Sequence, residues 1–187
     1  MIALPASLKF TYEEYLTFPE DGKRHELIDG DHYVTPAPLT KHQRILATLH
    51  RIIGPFVHEH SLGTVLFAPV DVLLSQVDVV QPDFLFISTA RSSIITERNI
   101  QGAPDLVVEI LSASTRNNDE GIKHTLYERA QVQEYWIIDP HSDTVKIFQL
   151  REGCYDSARE LTTQQAKAAI MTPLLPGLSL PLHEIFS

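Results

Sequence analysis

The segment 40–60 carries apolar residues at the spacing of an amphipathic helix. Its apolar positions are Ile45, Leu46, Leu49, Ile52, Ile53, Phe56 and Val57. A second helix is predicted over 119–130, and a short helix is predicted to begin after Thr11, which is a favourable N-cap residue. The residues near 163–170 predict a further helical stretch towards the C-terminus.

Runs of β-branched and aromatic residues predict strands between these helices. A hairpin covers 24–34 and turns at Asp29–Gly30, a dipeptide typical of tight turns. Further strands are predicted over 63–75, 79–87, 106–112, 134–139 and 144–150. This order predicts an α/β fold with a central mixed β-sheet flanked by helices. Because the chain has the length of one domain and contains no repeat or linker, we expect a single domain over 1–187.

The charge balance of the chain is acidic. It has 15 Lys and Arg against 24 Asp and Glu, a formal net charge of −9. Proteins that bind nucleic acid generally are basic, but a nuclease is still compatible with this balance, because bound metal offsets part of the negative charge. The single cysteine, Cys154, excludes an internal disulfide framework. With no apolar run of the ~20 residues that cross a bilayer and no signal-peptide pattern, the sequence predicts a soluble, cytoplasmic protein.

Two predicted strands carry carboxylates among apolar neighbours, where an unpaired charge is costly. Asp105 and Glu109 are four residues apart, which places their Cα atoms about 13 Å apart along one strand, too far to share an ion. Asp83 and Glu109 can converge if their strands are neighbours, and carboxylate oxygens suit Mg²⁺. We therefore predict a Mg²⁺ or Mn²⁺ site at Asp83 and Glu109, with a structural or supporting role for Asp105.

Lys123 lies in the predicted helix that follows Glu109, on one face with Asp119 and Tyr127. Beside metal-bound carboxylates, this lysine could hold a scissile phosphate or help to deprotonate the attacking water. A solvent-exposed lysine paired with Asp119 is an equally good interpretation of the spacing. The histidines of the 40–60 segment are expected on a polar helix face and the loop after it, and not in a metal site: His42, His50, His58 and His60.

Several motifs together resemble the putative restriction endonuclease domain family, a bacterial family within the PD-(D/E)XK nuclease superfamily. The motifs are Val80-Gln81-Pro82-Asp83, the segments 104–116, 121–127 and 134–140, and His25-Glu26-Leu27-Ile28-Asp29-Gly30 near the N-terminus. With the tyrosines of the segment 12–15, the resemblance covers residues 8–183.

This resemblance implies a restriction-endonuclease-like fold and a Mg²⁺-dependent centre that cleaves DNA. By position, it implies that Asp83 is the motif aspartate, Glu109 the following acid, and Glu26 an additional acid near the metal. One departure concerns the lysine that the superfamily places two residues after the glutamate, because Leu111 occupies that position. The resemblance implies that Lys123 supplies this lysine from the next helix.

Three functions follow from these residues. The first is a metal-dependent DNA endonuclease, which the set of Asp83, Glu109 and Lys123 favours. The second is a catalytically weak or inactive nuclease-like domain that serves in binding or assembly, which the acidic balance favours. The third is a metal-dependent phosphoesterase for small molecules, since the same carboxylates serve any phosphate ester. For the endonuclease we expect a homodimer, because a two-fold dimer presents one centre to each strand of a duplex.

Overall fold

The structure is a computed structural model and describes residues 8–187. The helices are α1 (Tyr12–Tyr15), α2 (Thr40–Glu59), α3 (Lys123–Arg129) and α4 (Leu182–Ile185). The first strands are β1 (Arg24–Ile28), β2 (Asp31–Thr35), β3 (Gly63–Phe67), β4 (Val72–Ser75), β5 (Asp78–Val80), β6 (Phe84–Ser88) and β7 (Ile100–Gln101). The later strands are β8 (Leu106–Ile110), β9 (Glu134–Asp139), β10 (Thr144–Arg151), β11 (Cys154–Tyr155), β12 (Arg159–Thr162), β13 (Ala169–Ile170) and β14 (Leu180–Pro181).

The larger sheet runs in the order β11-β10-β9-β8-β6-β3, and β12 pairs with β10 as well. Its central pair, β8 and β9, is parallel, whereas β6 and β10 join that pair in antiparallel fashion. A smaller sheet has the order β2-β1-β5-β4-β7. These mixed sheets and their flanking helices confirm the predicted α/β class.

Alternation along the central strand β8 divides the hydrophobic core into two layers. Leu106 and Val108 face the apolar stripe of α2, which packs on one side of the larger sheet. Val107 faces the opposite side, where α3 and the smaller sheet cover the larger one. Since residues two apart in a strand share a face, Glu109 belongs to this second side, between the two sheets.

Two of the predicted strands are each divided between the two sheets. The predicted strand 63–75 forms β3 and β4, with Pro69 in the break, and the predicted strand 79–87 forms β5 and β6, with Pro82 in the break. Proline has no N–H to donate to a strand ladder, so each break coincides with a proline. Asp83 therefore lies immediately before β6 instead of inside a strand.

The local predictions at the N-terminal half agree with the structure. The hairpin of β1 and β2 turns at Asp29 and Gly30, both with positive φ. The Glu14 carboxylate accepts hydrogen bonds from the Thr11 N–H (2.8 Å) and from its hydroxyl (3.0 Å), which caps α1. The predicted helix 119–130 consists of a π-helical turn, Asn118–Ile122, followed by α3.

The predicted helical stretch at 163–170 was wrong. This segment contains turns and ends in β13, which pairs with β14. Lys167 has a φ of 58°, which lies outside the right-handed helical region, and Ile170 is fully buried in the core beneath the larger sheet. Tertiary pairing and burial thus outweigh the helix-forming composition of the segment. Over the described residues, no helix combines the length and the apolar character that crossing a membrane requires.

Candidate active site

The two acids predicted to share a site lie at the same end of two neighbouring strands, Glu109 in β8 and Asp83 immediately before β6. β6 and β8 are antiparallel partners, with Phe84 opposite Val108. Continuing this register by one residue places Asp83 across from Glu109. Both side chains are buried, each in a residue with 3% of its surface exposed. The strand order therefore meets the condition on which the predicted pairing depended.

Lys123 joins Glu109 to the third predicted acid, Glu26 of β1. Its ammonium donates to Glu26 Oε1 at 2.8 Å and to Glu109 Oε1 at 3.0 Å. The same ammonium lies 3.7 Å from Asp119 Oδ1, and the Tyr127 hydroxyl donates to Glu109 Oε1 at 2.7 Å. Since the lysine side chain is only 7% exposed, the interpretation of Lys123 as a surface residue is wrong. It is the cation at the centre of a buried carboxylate cluster.

Asp83 has a separate set of partners. Its Oδ1 accepts from the Arg24 guanidinium at 2.6 Å. Its Oδ2 contacts His42 Nε2 at 2.9 Å and accepts the Ile110 N–H at 2.8 Å. The carboxylate is thereby fixed from three sides, and Glu109 shares none of these partners.

Sequence reasoning missed Arg24 and placed His42 on a polar face, whereas His42 is buried against Asp83. The sequence does contain a signal for the burial of His42, because position 42 continues the apolar stripe of Ile45, Leu46 and Leu49 at helical spacing. For Arg24 the sequence holds no comparable signal. The expectation of solvated histidines holds for three of the four, which are exposed: His50, His58 and His60.

The two opposed acids differ in their proton affinity. Burial acts to raise the pKa of Asp83, but the His42 hydrogen bond and the Arg24 charge bring it below its usual value. Burial raises the pKa of Glu109 to about 8; the attraction of Lys123 opposes this shift and the nearby carboxylates reinforce it. Burial likewise raises the pKa of Asp119 to about 6.

Lys123 is held in its charged form. Burial alone would lower the pKa of its ammonium, but the three surrounding carboxylates raise that pKa well above its usual value. A lysine that stays protonated at neutral pH cannot accept a proton from water. It can hold an anion and orient the carboxylates that it contacts.

These groups line one cavity of about 240 Å³, here called the carboxylate cavity. Its charged lining residues are four acids and two cations: Glu26, Asp83, Glu109, Asp119, Arg24 and Lys123. Within residues 8–187, no three His, Cys, Asp or Glu side chains are already arranged as a metal site. The donor chemistry nevertheless fits Mg²⁺ or Mn²⁺, because the candidate ligands are hard carboxylate oxygens and negative charge exceeds positive charge in the cavity wall.

Asp105 takes no part in this cavity. Its carboxylate accepts from the Ser88 N–H (2.7 Å), the Gln133 amide (2.7 Å) and the Arg91 guanidinium (3.3 Å). These bonds tie β6 and the start of β9 to the beginning of β8. Asp105 lies at the opposite end of β8 from the cavity, and its contacts are those of a structural residue.

Comparison with known proteins agrees with this architecture. The chain matches no curated protein. A solved structure described as a putative nuclease belonging to DUF820, from Anabaena variabilis, superposes with a TM-score of 0.80 at 21% sequence identity, covering 95% of this chain and 97% of that chain. At this identity, the likeness shows a common fold. The family model described as putative restriction endonuclease matches residues 12–183. The chain therefore belongs to the putative restriction endonuclease family, whose members the sequence motifs resemble.

Proposed function

We propose that this protein is a Mg²⁺- or Mn²⁺-dependent endonuclease that hydrolyses DNA phosphodiester bonds. The observation that carries the proposal is the convergence of Glu26, Asp83, Glu109 and Lys123, from four separate segments, on one cavity. Burying several carboxylates around one lysine is unfavourable for folding alone, so a cluster of this kind supports a role in binding a cation. Membership of the restriction endonuclease family supports nuclease chemistry.

In this proposal Asp83 and Glu109 hold the metal, with Glu26 assisting. A bound divalent ion would supply a water of lowered pKa and would stabilise negative charge on the phosphate. Tyr127 and Lys123 orient the Glu109 carboxylate before substrate arrives, which is the kind of preorganisation that favours catalysis. Of the two roles considered for Lys123, its raised pKa supports contact with the scissile phosphate over proton abstraction.

A plasmid-nicking assay with Mg²⁺ or Mn²⁺ tests this function. Asp83→Asn and Glu109→Gln should each abolish strand cleavage, because each removes a charged metal ligand. Glu120→Gln is the matched control, since Glu120 is exposed and pairs with Lys146 outside the carboxylate cavity. Cleavage that survives in the Glu109→Gln protein would show that the centre lies elsewhere.

A second candidate function is binding or assembly without catalysis. One observation favours it: each central acid already has a cationic partner, Arg24 for Asp83 and Lys123 for Glu109. A protein of this kind would bind nucleic acid or metal but cut neither plasmid nor the model diester bis(p-nitrophenyl) phosphate. Cleavage of the model diester without cleavage of DNA would instead support the small-molecule phosphoesterase.

We further propose a homodimer in the cytoplasm. The dimer follows from the substrate, because the strands of a duplex are antiparallel and a two-fold axis would present one centre to each. The cytoplasmic location rests on the single cysteine, Cys154, an exposed thiol that suits a reducing compartment. Light scattering at micromolar concentration should give twice the chain mass of 21.1 kDa, and a monomer there would contradict the dimer.

A further inference from the structure

A second cavity, of about 460 Å³, adjoins the carboxylate cavity. It lies between the start of α2 and the turn that follows β9, and is here called the α2 cavity. The two cavities share the wall residues Leu39, His42, Ser112 and Ala113. The volume of the α2 cavity lies within the ~300–1,000 Å³ typical of small-molecule sites. A ligand in it would therefore be a direct neighbour of a group bound at the carboxylates.

The walls of the α2 cavity differ in chemistry from those of its neighbour. Leu39, Leu111 and Pro140 supply apolar surface, and 74% of the surface of Leu39 is exposed. Lys41 and Arg116 are the lysine and arginine of the lining. Lys41 forms an ion pair with Asp143 at 2.8 Å, and Arg116 forms one with Asp139 at 2.7 Å. The α2 cavity thus combines apolar walls with two cations held in ion pairs, whereas the carboxylate cavity is lined by four acids around two cations.

The start of α2 adds unpaired hydrogen-bonding groups. The helix has Leu39 as its N-cap, which has no side-chain acceptor, and its first turn contains Lys41 but no acidic residue. The first N–H groups of a helix have no partner within the helix and favour a phosphate. In the same turn lies His42, 6% exposed, whose Nδ1 has no hydrogen-bond partner among the described residues. A buried polar atom of this kind indicates a missing partner.

We propose that the α2 cavity binds one nucleotide of the substrate strand, next to the scissile bond. The base would lie against Leu39 and Leu111, and its phosphate would replace Asp143 as the partner of Lys41 and contact the first N–H groups of α2. The proposal rests on the proposed function, because it takes nucleic acid as the substrate. It deepens that function by predicting a nucleotide out of the base stack, as in single-stranded, frayed or flipped substrates.

Calorimetric titration of the metal-free protein with a deoxynucleoside monophosphate tests this site. We expect binding that weakens at least tenfold in Lys41→Gln, which removes the phosphate contact. The matched control is Lys146→Gln, another exposed lysine in an ion pair, outside the α2 cavity. Ala113→Trp should abolish binding by filling the shared wall, and Ala113 is exposed, so the fold should tolerate the change. Equal affinity in wild type, Lys41→Gln and Ala113→Trp would overturn the proposal.

Two further ligands test the base and phosphate contacts separately. The nucleoside without phosphate and inorganic phosphate alone should each bind at least tenfold more weakly than the nucleotide. If inorganic phosphate binds as tightly as the nucleotide, the cavity is only an anion site and the proposal is wrong.

The Glu109→Gln variant separates this proposal from the proposed function. Because Glu109 does not line the α2 cavity, nucleotide binding should persist in the variant while cleavage is lost. Nucleotide binding at the α2 cavity in a protein that never cuts DNA would support the site and refute the endonuclease. DNA cleavage with no nucleotide binding at millimolar concentration would support the endonuclease and refute the site.

Discussion

Asp83 and Glu109 are equally buried and lie at the same end of the neighbouring strands β6 and β8, yet the pKa of Asp83 is lowered and that of Glu109 is raised. Asp83 is held by a guanidinium, an imidazole and a backbone N–H, which together outweigh the cost of burial. Glu109 shares one lysine with two other acids, so the attraction of Lys123 does not offset burial, and the pKa of Glu109 is raised. The partners of a buried carboxylate, more than its depth, thus decide whether it is charged.

The largest effect is expected when the shared cation is removed. Lys123→Met should lower the free energy of unfolding by about 3–5 kcal/mol, because it leaves buried carboxylates without their counter-charge. Urea denaturation at pH 7 measures the loss. The exposed pair Lys146–Glu120 provides the control, since Lys146→Met should cost about 0–1 kcal/mol. If Lys123→Met lowers the free energy of unfolding no more than Lys146→Met does, Lys123 does not stabilise the carboxylate cluster.

The two acids should respond unequally to loss of charge. Asp83→Asn should lower the free energy of unfolding at pH 7 by about 2–4 kcal/mol, because Arg24 and His42 lose an ionised partner in a buried place. Glu109→Gln should be neutral or stabilising, since with a pKa of about 8 the side chain must take up a proton on folding at that pH. Denaturation of both variants side by side measures the difference. Equal losses of unfolding free energy in the two variants would refute the contrast between Asp83 and Glu109.

Metal binding should sharpen the contrast further. If Mn²⁺ binds at Glu109, it displaces a proton, so its stabilising effect should increase from pH 6 to pH 8. At a hundred times its dissociation constant, a ligand stabilises by about 2.7 kcal/mol, and thermal unfolding with and without Mn²⁺ would detect this. The Glu109→Gln protein should show neither the stabilisation nor its pH dependence. The same gain in both proteins would place the metal elsewhere.

A further contrast between the two acids concerns the pH dependence of stability without metal. In the unfolded chain Glu109 ionises near 4.5, whereas in the folded protein its pKa is about 8. Between these values the folded state binds the extra proton, so Glu109 makes stability fall as pH rises, by up to about 1.4 kcal/mol per pH unit. Asp83 has the opposite effect on stability. Because its pKa is lowered in the folded protein, the stability that it contributes is lost as pH falls through that pKa.

Denaturation at several values between pH 5 and pH 8 checks this slope. Glu109→Gln should flatten it relative to wild type, whereas Glu120→Gln should leave it unchanged. A wild-type slope that persists in the Glu109→Gln protein would assign the proton to another group.

Local patterns in the sequence were sufficient for α1, α2 and α3 and for the candidate acids Asp83 and Glu109, but not for the segment 163–170, where the predicted helix is replaced by turns and β13. The apolar period of α2, the turn at Asp29–Gly30 and the carboxylate within an apolar strand at Glu109 are each set by neighbours in the chain. Periodicity reports such short-range preferences directly. The family motifs added Glu26 and Lys123, whose individual sequence contexts are ambiguous.

The tertiary structure decided what those residues contact. Whether Lys123 faces solvent or three carboxylates depends on how α3 packs over β8 and β1, which are distant in sequence. The same is true of Arg24 and His42, which meet Asp83 only because β1 and the start of α2 converge at one end of β6. Charge, unlike hydrophobic periodicity, acts through space and depends on burial. The sequence alone therefore identified the candidate acids and the candidate lysine, and only the fold determined their partners and hence their protonation.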